Sequence, residues 1–303
     1  MPRQLEPSDG AGCMIGACVR DVQRRLAESG IEDAGVEARR LVCEVAGIRP
    51  EALIMRPETL LDRYVLEAVD SAVAKRINGM TIGRIVGERS FYGRSFMLNE
   101  ATLEPRADSE TLVAAVLEIV GEESLFDVPL RIIDVGTGTG CLLISLLAEL
   151  PCATGVGSDL SERALDAAKA NAVRHGVDSR AAFMTADGLA GLAGPFDILI
   201  SNPPYIQRSD ISGLDATVRC HDPLLALDGG IDGLDVYGKI GGQLGGVVPD
   251  GWVFLEIGAG MRADVCGVFD AALGSTDGWR VWQDINGIDR CVARKTRSSE
   301  VYE

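Results

Sequence analysis

The residues best suited to chemistry lie in a short segment that follows an apolar run. The segment reads Ser201, Asn202, Pro203, Pro204 and Tyr205, and it comes directly after residues 196–200. The apolar run predicts a buried strand, so the segment should lie at a strand's carboxyl end, where open α/β sheets bind ligands. Two consecutive prolines fix the backbone and donate no N–H, which leaves carbonyl oxygens as acceptors on a stiff turn.

This turn has the features of a site for a planar nitrogen. Asn202 adds a side-chain oxygen to the carbonyl acceptors, and Tyr205 could cover the flat face of a bound group. A planar N–H₂ group, such as an amide or the exocyclic amine of a base, would then be held by two acceptors. The simpler alternative is a loop of turn-forming residues that ends a strand.

A glycine-rich segment joins an earlier strand to a helix. It consists of Asp134, Val135, Gly136, Thr137, Gly138, Thr139 and Gly140. Glycines allow positive φ and close approach of a ligand, and the following helix N-terminus offers free N–H groups to an anion. The spacing is Gly-x-Gly-x-Gly, not the Gly-x-Gly-x-x-Gly of dinucleotide sites, so a ligand carboxylate fits as well as a phosphate.

Acidic residues end the next two predicted strands. Asp159 can accept both hydroxyls of a ribose, and its structural alternative is to cap the helix that starts at Ser161. Asp187 could reach an adenine amino group, and its alternative is a turn aspartate before Gly188. Together these strand ends suit a nucleoside and an amino-acid-like anion, which is the shape of S-adenosylmethionine.

Strands and helices alternate from residue 130 onward. The predicted strands are 131–135, 153–159, 181–186, 196–200, 252–257, 280–284 and 289–294, and the predicted helices are 140–150, 161–175, 234–248 and 262–273. This order predicts an α/β fold with a mostly parallel sheet covered on both faces, closed by an antiparallel pair around residues 286–287. Five glycines between residues 238 and 246 weaken the helix predicted there.

The first quarter of the chain is helical and lacks polar groups suited to catalysis. The predicted helices are 15–30, 33–47 and 60–79, with a first helical turn at 50–52. Residues 82–98 change period, and 91–96 predict a hairpin. We therefore divide the chain into a helical domain 1–80, a hairpin linker 81–102 and a catalytic domain 103–303.

Composition narrows the class of partner. The 303 residues carry a formal charge of −16, which opposes binding to phosphate backbones and anionic membranes. The clearest basic cluster, residues 294–297, is interpreted as a solvated tail. No stretch of the sequence approaches the roughly 20 consecutive apolar residues that a membrane helix needs. The eight cysteines form no Cys-x-x-Cys pair. We expect them to be reduced and mostly buried, in a cytoplasmic protein. With only His175 and His221, no metal site is expected.

Several of these segments resemble known enzymes. Residues 134–140, Asp159 and the Asn-Pro-Pro-Tyr turn look like those of class I S-adenosylmethionine-dependent methyltransferases that methylate planar nitrogens. More narrowly, the chain resembles the bacterial release-factor glutamine methyltransferases, which modify the Gln of the Gly-Gly-Gln loop in peptide chain release factors. The narrower resemblance is carried by Ile85-Val86-Gly87-Glu88 with Phe91-Tyr92-Gly93, residues 103–110, residues 222–230 with Asp232-Gly233-Leu234, and Leu255-Glu256-Ile257-Gly258.

The resemblance implies a Rossmann-like, mostly parallel seven-stranded sheet and a cytoplasmic protein-(glutamine-N5) methyltransferase. The implied cofactor contacts are Gly136, Thr137, Gly138, Thr139, Gly140, Asp159, Asp187, Gly188 and Asn202. The implied substrate contacts are Asn202, Pro203, Pro204 and Tyr205, of which Asn202, Pro203 and Tyr205 would be catalytic. The helical N-terminal domain would help dock the release factor, and we expect a monomer without a nucleic-acid or membrane partner.

The chain departs from the family pattern at two places. The usual Ile-Pro-Arg-Pro is Glu104-Pro105-Arg106-Ala107, and Met261 stands where a Gln often follows the Glu-Ile-Gly segment. Arg106 lies between acidic residues, so a local ion pair is an equal alternative to a role in the site. Gly241-Gly242-Gln243 matches the family's substrate motif, but it falls in a predicted helix, which disfavours self-modification.

Three other functions fit parts of the pattern. A methyltransferase that acts on adenine or cytosine amino groups would use the same turn, although the acidic charge and the flanking segments favour a protein substrate. A non-catalytic module that binds the cofactor or a translation factor would have no use for such a specific turn. A nicotinamide-dependent oxidoreductase is disfavoured by the glycine spacing.

Overall fold

The computed structural model describes residues 12–274 and 278–296. The chain divides into two compact units, residues 1–86 and 87–303. The first unit is mainly helical, and the second contains the large sheet. The functional division at residues 80 and 102 stays a prediction, because packing alone defines these two units.

Five helices build the described part of the first unit. They are α1 (Ile15–Glu28), α2 (Ala34–Ala46), α3 (Glu51–Met55), α4 (Arg63–Ile77) and α5 (Ile82–Val86). The long helices α1, α2 and α4 bury one apolar face each in a common core, in which Ile15, Leu41 and Val73 are fully buried. The helical periodicity of this quarter of the chain is thus confirmed.

The start of the fourth helix differs from the prediction. β1 (Cys13–Met14) pairs antiparallel with β2 (Leu60–Leu61), so the two leucines belong to a strand. The helix begins at Arg63 because the Asp62 carboxylate accepts the N–H of Val65 at 2.9 Å and caps the helix. The predicted start at residue 60 was wrong.

The predicted hairpin opens the second unit. β3 (Glu88–Phe91) and β4 (Arg94–Met97) pair antiparallel across a two-residue turn. Tyr92 and Gly93 both have positive φ, 48° and 71°, as the twist of a tight hairpin requires. Phe91 and Phe96 are buried in a core that also contains residues of α6 (Glu110–Glu122). The hairpin is therefore packed into the second unit.

A seven-stranded sheet is the centre of the described second unit. Its strands are β5 (Arg131–Val135), β6 (Thr154–Asp159), β7 (Ala181–Thr185), β8 (Ile198–Ser201), β9 (Trp252–Glu256), β10 (Arg280–Gln283) and β11 (Asp289–Lys295). Their order is β10-β11-β9-β8-β5-β6-β7. β11 runs antiparallel to both of its neighbours, and the other pairs are parallel. The predicted α/β class and the antiparallel final pair are confirmed.

Helices cover both faces of this sheet. They are α6, α7 (Cys141–Glu149), α8 (Glu162–Arg174), α10 (Asp235–Gln243) and α11 (Arg262–Leu273), whereas the short α9 (Ala216–Arg219) contributes no residue to the two cores of the sheet. Adjacent residues of β5 alternate between two cores: Ile132 packs with α6 and α7, and Ile133 packs with α10 and α11. Within the described ranges, no helix has the length and apolar character needed to cross a bilayer.

The strand order reverses at β5, which positions the site. β5 lies between β6 and β8 and runs parallel to both, with Val135 in register with Ser158 on one side and Ser201 on the other. The chain therefore continues outward through β6 and β7 in one direction and through β8 and β9 in the other. A reversal of this kind opens a crevice at the carboxyl ends of the strands.

The C-terminal basic cluster is not a solvated tail where the structure describes it. The guanidinium of Arg294 is buried and donates to Asp270 Oδ1 at 2.6 Å. The Thr296 N–H donates to the Gly251 carbonyl at 2.7 Å. Pairing of β11 with β9 carries these residues into the core, and Arg297 lies outside the described residues.

The cysteines are less buried than predicted. Cys18, Cys43 and Cys291 are buried, while Cys152 and Cys220 are exposed and the remaining three are half-buried. All eight are free thiols. The expectation of mostly buried cysteines was wrong, because apolar neighbours in sequence do not fix which side of an element faces the core.

Asn171 on α8 joins the hairpin to the loop after β5. Its Oδ1 accepts the N–H of Met97 at 2.8 Å. Its Nδ2 donates to the carbonyls of Met97 at 3.1 Å and of Thr139 at 2.9 Å. The side chain is fully buried, so these three backbone groups depend on it.

We expect Asn171→Ala to lower the free energy of unfolding by about 2–4 kcal/mol, because it leaves buried backbone groups without partners. Denaturant unfolding followed by circular dichroism measures this change. Val173→Ala, at an exposed position of the same helix, is the control and should change stability by about 0.5 kcal/mol or less. Wild-type stability of Asn171→Ala would contradict the interpretation.

Candidate active site

One cavity opens where the loops after β5, β6 and β8 meet. Its volume is about 320 Å³. The predicted site residues that line it are Gly136, Thr137, Gly138, Thr139, Asp159, Asp187, Gly188, Asn202, Pro203 and Pro204. Gly140 and Tyr205 are outside this lining. The fold thus brings together segments that are far apart in the chain.

The loop after β5 is held against the end of β6. The N–H groups of Gly136 and Thr137 donate to the Ser158 carbonyl at 2.8 and 2.9 Å. Gly140 has a φ of +79°, and a Cβ there would lie 2.8 Å from Cδ1 of Ile144. Gly140 therefore serves the close approach of the loop to α7.

Asp134 is fully buried beneath this loop. Its Oδ2 accepts the Thr137 hydroxyl at 2.6 Å, and its Oδ1 has no hydrogen-bond partner in the described structure. Burial raises the pKa of Asp134 to about 7, and the hydrogen bond from Thr137 partly opposes that rise. The glycine loop is consequently built over a carboxyl group that changes charge near neutral pH.

Asp159 ties the loop to the helix that follows β6. Its carboxylate accepts the N–H of Gly138 at 2.9 Å and the N–H of Ser161 at 2.9 Å. The cap of α8 is Ser161, whose hydroxyl accepts the N–H of Ala164 at 3.2 Å. Burial raises the pKa of Asp159, and its backbone hydrogen bonds oppose this. Each carboxylate oxygen keeps a further lone pair for a ligand.

Two side chains of α10 hold the turn at Asp187. The ammonium of Lys239 lies 2.6 and 2.8 Å from the two carboxylate oxygens of Asp187. Gln243 accepts the N–H of Leu189 at 2.6 Å and donates to the Asp187 carbonyl at 3.3 Å. The carboxylate predicted to reach an adenine amino group therefore faces a lysine. Gln243 of the Gly-Gly-Gln triplet has a structural partner of its own.

The Asn-Pro-Pro-Tyr turn begins at the end of β8. The buried Ser201 hydroxyl donates to the Val135 carbonyl at 2.7 Å, which fixes the turn to β5. The Asn202 side-chain N–H donates to Oγ of Ser109 at 3.1 Å, so its Oδ1 is left as an acceptor. Pro203 and Pro204 line the cavity beside it.

Tyr205 packs into the core next to the turn. Its ring lies against Gly258, where a Cβ would be 3.0 Å from Cδ2 of the tyrosine. Burial raises the pKa of Tyr205 to about 12, so the phenol stays protonated at neutral pH. Met261, one of the departures from the family pattern, packs against the same core.

Arg106 brings a cation to the cavity. Its Nη2 lies 2.6 Å from Oδ2 of Asp222, whose side chain is buried. The partner comes from a distant loop, so the local ion pair considered for Arg106 was wrong. Two other residues that depart from the family pattern are Glu104 and Ala107. Oε1 of the buried Glu104 lies 3.2 Å from Nη1 of Arg89, and Ala107 begins a short 3₁₀ turn.

Two family models and several relatives match this chain. The Methyltransferase small domain model matches residues 120–218, and the PrmC N-terminal domain model matches residues 17–87. A release factor glutamine methyltransferase from Bradyrhizobium diazoefficiens is 39% identical over 295 residues, which are 97% of this chain and 98% of that relative. The chain belongs to the release factor glutamine methyltransferases.

Further comparisons support the family and the fold. A release factor glutamine methyltransferase from Agrobacterium fabrum is 38% identical over 263 residues, 86% of this chain and 91% of the relative. The solved hMettl16 catalytic domain in complex with MAT2A 3′UTR hairpin 6 is 15% identical, covers 75% of this chain and 83% of its own, and has a TM-score of 0.54, which shows a shared fold. As a member of this family, the chain is an S-adenosylmethionine-dependent methyltransferase.

Several residues that line or support this cavity were not predicted from the sequence. They are Ser109, Lys239 and Gln243. Lys239 and Gln243 belong to α10, whose glycines predict a weak helix. The helix does end at Gln243, before the predicted limit of residue 248. Each of the three residues acts across the fold, so no local spacing signals it.

We expect Gln243→Ala to weaken binding of S-adenosylmethionine about fivefold, because the turn at Asp187 loses two hydrogen bonds. Isothermal titration calorimetry measures the affinity, and turnover at saturating cofactor should change less than about twofold. Gln23→Ala, at an exposed position of the first unit, is the matched control. An unchanged affinity in Gln243→Ala would show that the turn does not depend on this side chain.

Asp134 predicts a pH-dependent stability. Its pKa in the folded state, about 7, lies above its ordinary 3.8, so the folded protein binds this proton more tightly than the unfolded chain. The resulting stabilisation is complete below about pH 4 and is lost as the pH rises through about 7.

The free energy of unfolding of Asp134→Asn should therefore increase relative to that of the wild type as the pH rises. We expect the difference in unfolding free energy to shift by at least about 1 kcal/mol in favour of the variant between pH 5 and pH 8. Denaturant titrations at several pH values measure this difference. Asp127→Asn, at an exposed position, should show no such trend, and a pH-independent difference for Asp134→Asn would rule the effect out.

Proposed function

We propose that this chain transfers the methyl group of S-adenosylmethionine to the side-chain amide nitrogen of the glutamine in the Gly-Gly-Gln loop of peptide chain release factors. The observation that carries the proposal is the shared cavity. Residues 136–139 and Asp159 line one part of it, and residues 202–204 line another. A cofactor on the first set and an amide on the second would meet in one cavity. The names of the relatives support the choice of substrate.

The residues of the cavity fit S-adenosylmethionine. The free lone pairs of Asp159 would accept the ribose hydroxyls, and the glycine loop would receive the amino-acid end of the cofactor. The turn at Asp187 and Gly188, held by α10, would border the adenine. Because Gly140 packs against α7 outside the lining, its contribution would be to the shape of the loop.

Asn202 and Pro203 would prepare the substrate nitrogen. An amide nitrogen is a poor nucleophile because its lone pair is delocalised into the carbonyl. Asn202 Oδ1 and the Pro203 carbonyl would each accept one N–H, which favours the reacting geometry and stabilises the positive charge that develops on nitrogen. The bound cofactor supplies a sulfonium-activated methyl group. No strong general base is needed at the start.

Tyr205 would contribute through the turn rather than from the cavity wall. Its ring packs beside Gly258 and lies outside the cavity lining. A direct contact with the flat face of the substrate amide therefore stays a prediction. Pro204, which does line the cavity, is the other candidate for an apolar contact with the glutamine side chain.

The partner would be a protein docked in the cytoplasm, where translation factors act. A formal charge of −16 opposes a nucleic-acid substrate. Residues 17–87, which match the PrmC N-terminal domain, would help dock the release factor to a monomeric enzyme. Methylation of adenine or cytosine amino groups is the alternative, and the experiment below separates it.

We expect Asn202→Ala to lower turnover at least about 100-fold, because one of the two acceptors for the substrate N–H groups is lost. The affinity for S-adenosylmethionine should change only a few-fold. Transfer of labelled methyl groups measures the first quantity, and equilibrium binding of the cofactor measures the second. Asn286→Ala, at an exposed position outside the cavity lining, is the control. Near-normal turnover of Asn202→Ala would contradict the role proposed for this residue.

The substrate is tested in the same assay. The wild-type protein is incubated with a bacterial release factor, with the factor carrying Gln→Ala in its Gly-Gly-Gln loop, and with a nucleic-acid mixture. Label in the intact factor alone supports the proposal. Label in nucleic acid would establish the alternative, and no label despite cofactor binding would indicate a non-catalytic module.

A further inference from the structure

A buried glutamate lies directly beside the Asn-Pro-Pro-Tyr turn. β8 and β9 are parallel, and Ser201 is in register with Leu255. The next residues along the two strands are Asn202 and Glu256, so they are neighbours at the carboxyl edge of the sheet. The side chain of Glu256 is only 3% exposed, and it is not among the residues that line the cavity. It can affect the reaction only through other side chains.

The carboxyl group of Glu256 is incompletely satisfied. Its Oε2 has no hydrogen-bond partner within residues 12–274 and 278–296. Hydrogen bonding from the side chain of Ser109, and to a smaller degree from that of Asn202, lowers the pKa of Glu256 against the rise that burial causes. A buried carboxyl group with an unsatisfied oxygen is costly for folding. Such a group beside a proposed substrate-binding residue therefore suggests a functional reason for its presence.

The amide of Asn202 must be held in one of two orientations. Only the orientation with Oδ1 toward the substrate can accept an N–H; the flipped amide would present its own N–H₂ group instead. In the structure the Asn202 N–H donates to Oγ of Ser109 at 3.1 Å. Ser109 has a single hydroxyl proton, and donating it to Glu256 leaves the serine oxygen to accept from Asn202.

We propose that Glu256 is a positioning residue that acts mainly through Ser109, and by a weaker contact of its own with Asn202, to hold the Asn202 amide with its oxygen toward the substrate, and that it does so only when ionised. A carboxylate can only accept hydrogen bonds. It therefore directs the Ser109 proton toward itself and the Asn202 N–H toward Ser109. The inference rests on the proposed function, because it assigns a task to the residue that would bind the substrate amide.

Protonation of Glu256 would remove the direction that its carboxylate imposes on the hydrogen bonds of Ser109 and Asn202. A neutral carboxyl group can donate to Ser109, whose own proton can then turn toward Asn202 and favour the flipped amide. Burial raises the pKa of Glu256 to about 7, and hydrogen bonding from Ser109 opposes that rise. Turnover should accordingly be highest above pH 7 and fall as the pH is lowered through about 7.

Other groups near Glu256 also set its charge. Those that are charged or titratable are Asp108 before α6, Cys141 on α7, Tyr205 after β8, Tyr237 on α10, and Arg290 and Cys291 on β11. Arg290 lowers the pKa of Glu256, and Asp108 raises it. Burial raises the pKa of both tyrosines and both cysteines, so these four stay neutral between pH 5.5 and 8.5.

The test compares pH profiles of methyl transfer to a release factor, with cofactor and factor both saturating, from pH 5.5 to 8.5. The wild type should lose close to tenfold in kcat per pH unit below about pH 7. Glu256→Gln keeps the shape of the side chain but cannot ionise, so we expect kcat about 10- to 100-fold lower at pH 8. We also expect this variant to lack the acid limb, which is the fall in kcat below about pH 7. Cofactor affinity at pH 8 should stay close to the wild-type value, and Tm at pH 8 should be equal to that of the wild type or higher, because the variant carries no buried charge.

Ser109→Ala provides a second, independent test. It keeps Glu256 but removes the hydroxyl that is its main connection to Asn202, so kcat should also be reduced and its fall below pH 7 should be shallower than that of the wild type. It decides the question if Glu256→Gln does not fold. Asp134→Asn changes the other carboxyl group whose pKa is raised to about 7, and this variant should retain the acid limb.

The possible outcomes separate the two proposals. A purely structural role for Glu256 would lower kcat by the same factor at every pH, and such parallel profiles in both variants would overturn the inference. An acid limb that persists in Glu256→Gln would also overturn it. Absence of label from the factor's glutamine with the wild type at all pH values would instead refute the proposed function.

Discussion

The backbone hydrogen bonds that pair β5 with β6 on one side and with β8 on the other are the constraint on which the site depends. They place Val135 beside Ser158 and Ser201, so three loops separated by many residues begin at one edge of the sheet. The Ser201 hydroxyl reinforces this pairing by donating to the Val135 carbonyl. A shift of either strand by one residue would turn its side chains to the opposite face and separate the loops.

The loops at this edge are rigid because side chains from other elements satisfy their backbone groups. Asn171 bonds the carbonyl of Thr139, Asp159 accepts the N–H of Gly138, and Gln243 accepts the N–H of Leu189. Hydrogen bonds of this kind replace those that a regular element would supply. The glycine loop and the turn at Asp187 can thus face a ligand with a fixed shape, even though neither is helix nor strand.

Two buried carboxyl groups lie under the site, one on each of two strands. Asp134 supports the glycine loop through Thr137, and Glu256 lies beside Ser109 and Asn202. Burial raises the pKa of both to about 7, which makes each of them unfavourable for stability when charged. Their position next to the glycine loop and the Asn-Pro-Pro-Tyr turn indicates that this arrangement is kept at a cost in local stability.

The sequence by itself determined the α/β class, the order of strands and helices in the second unit, and the segments at the strand ends. These follow from local properties: hydrophobic period, the φ freedom of glycine and the rigidity of two prolines. It could not show that Arg106 pairs with Asp222, that α10 holds the turn at Asp187, or that Tyr205 turns into the core. Only the tertiary structure decided these contacts, because each depends on which elements pack together across the sheet and on which side of its element a residue lies.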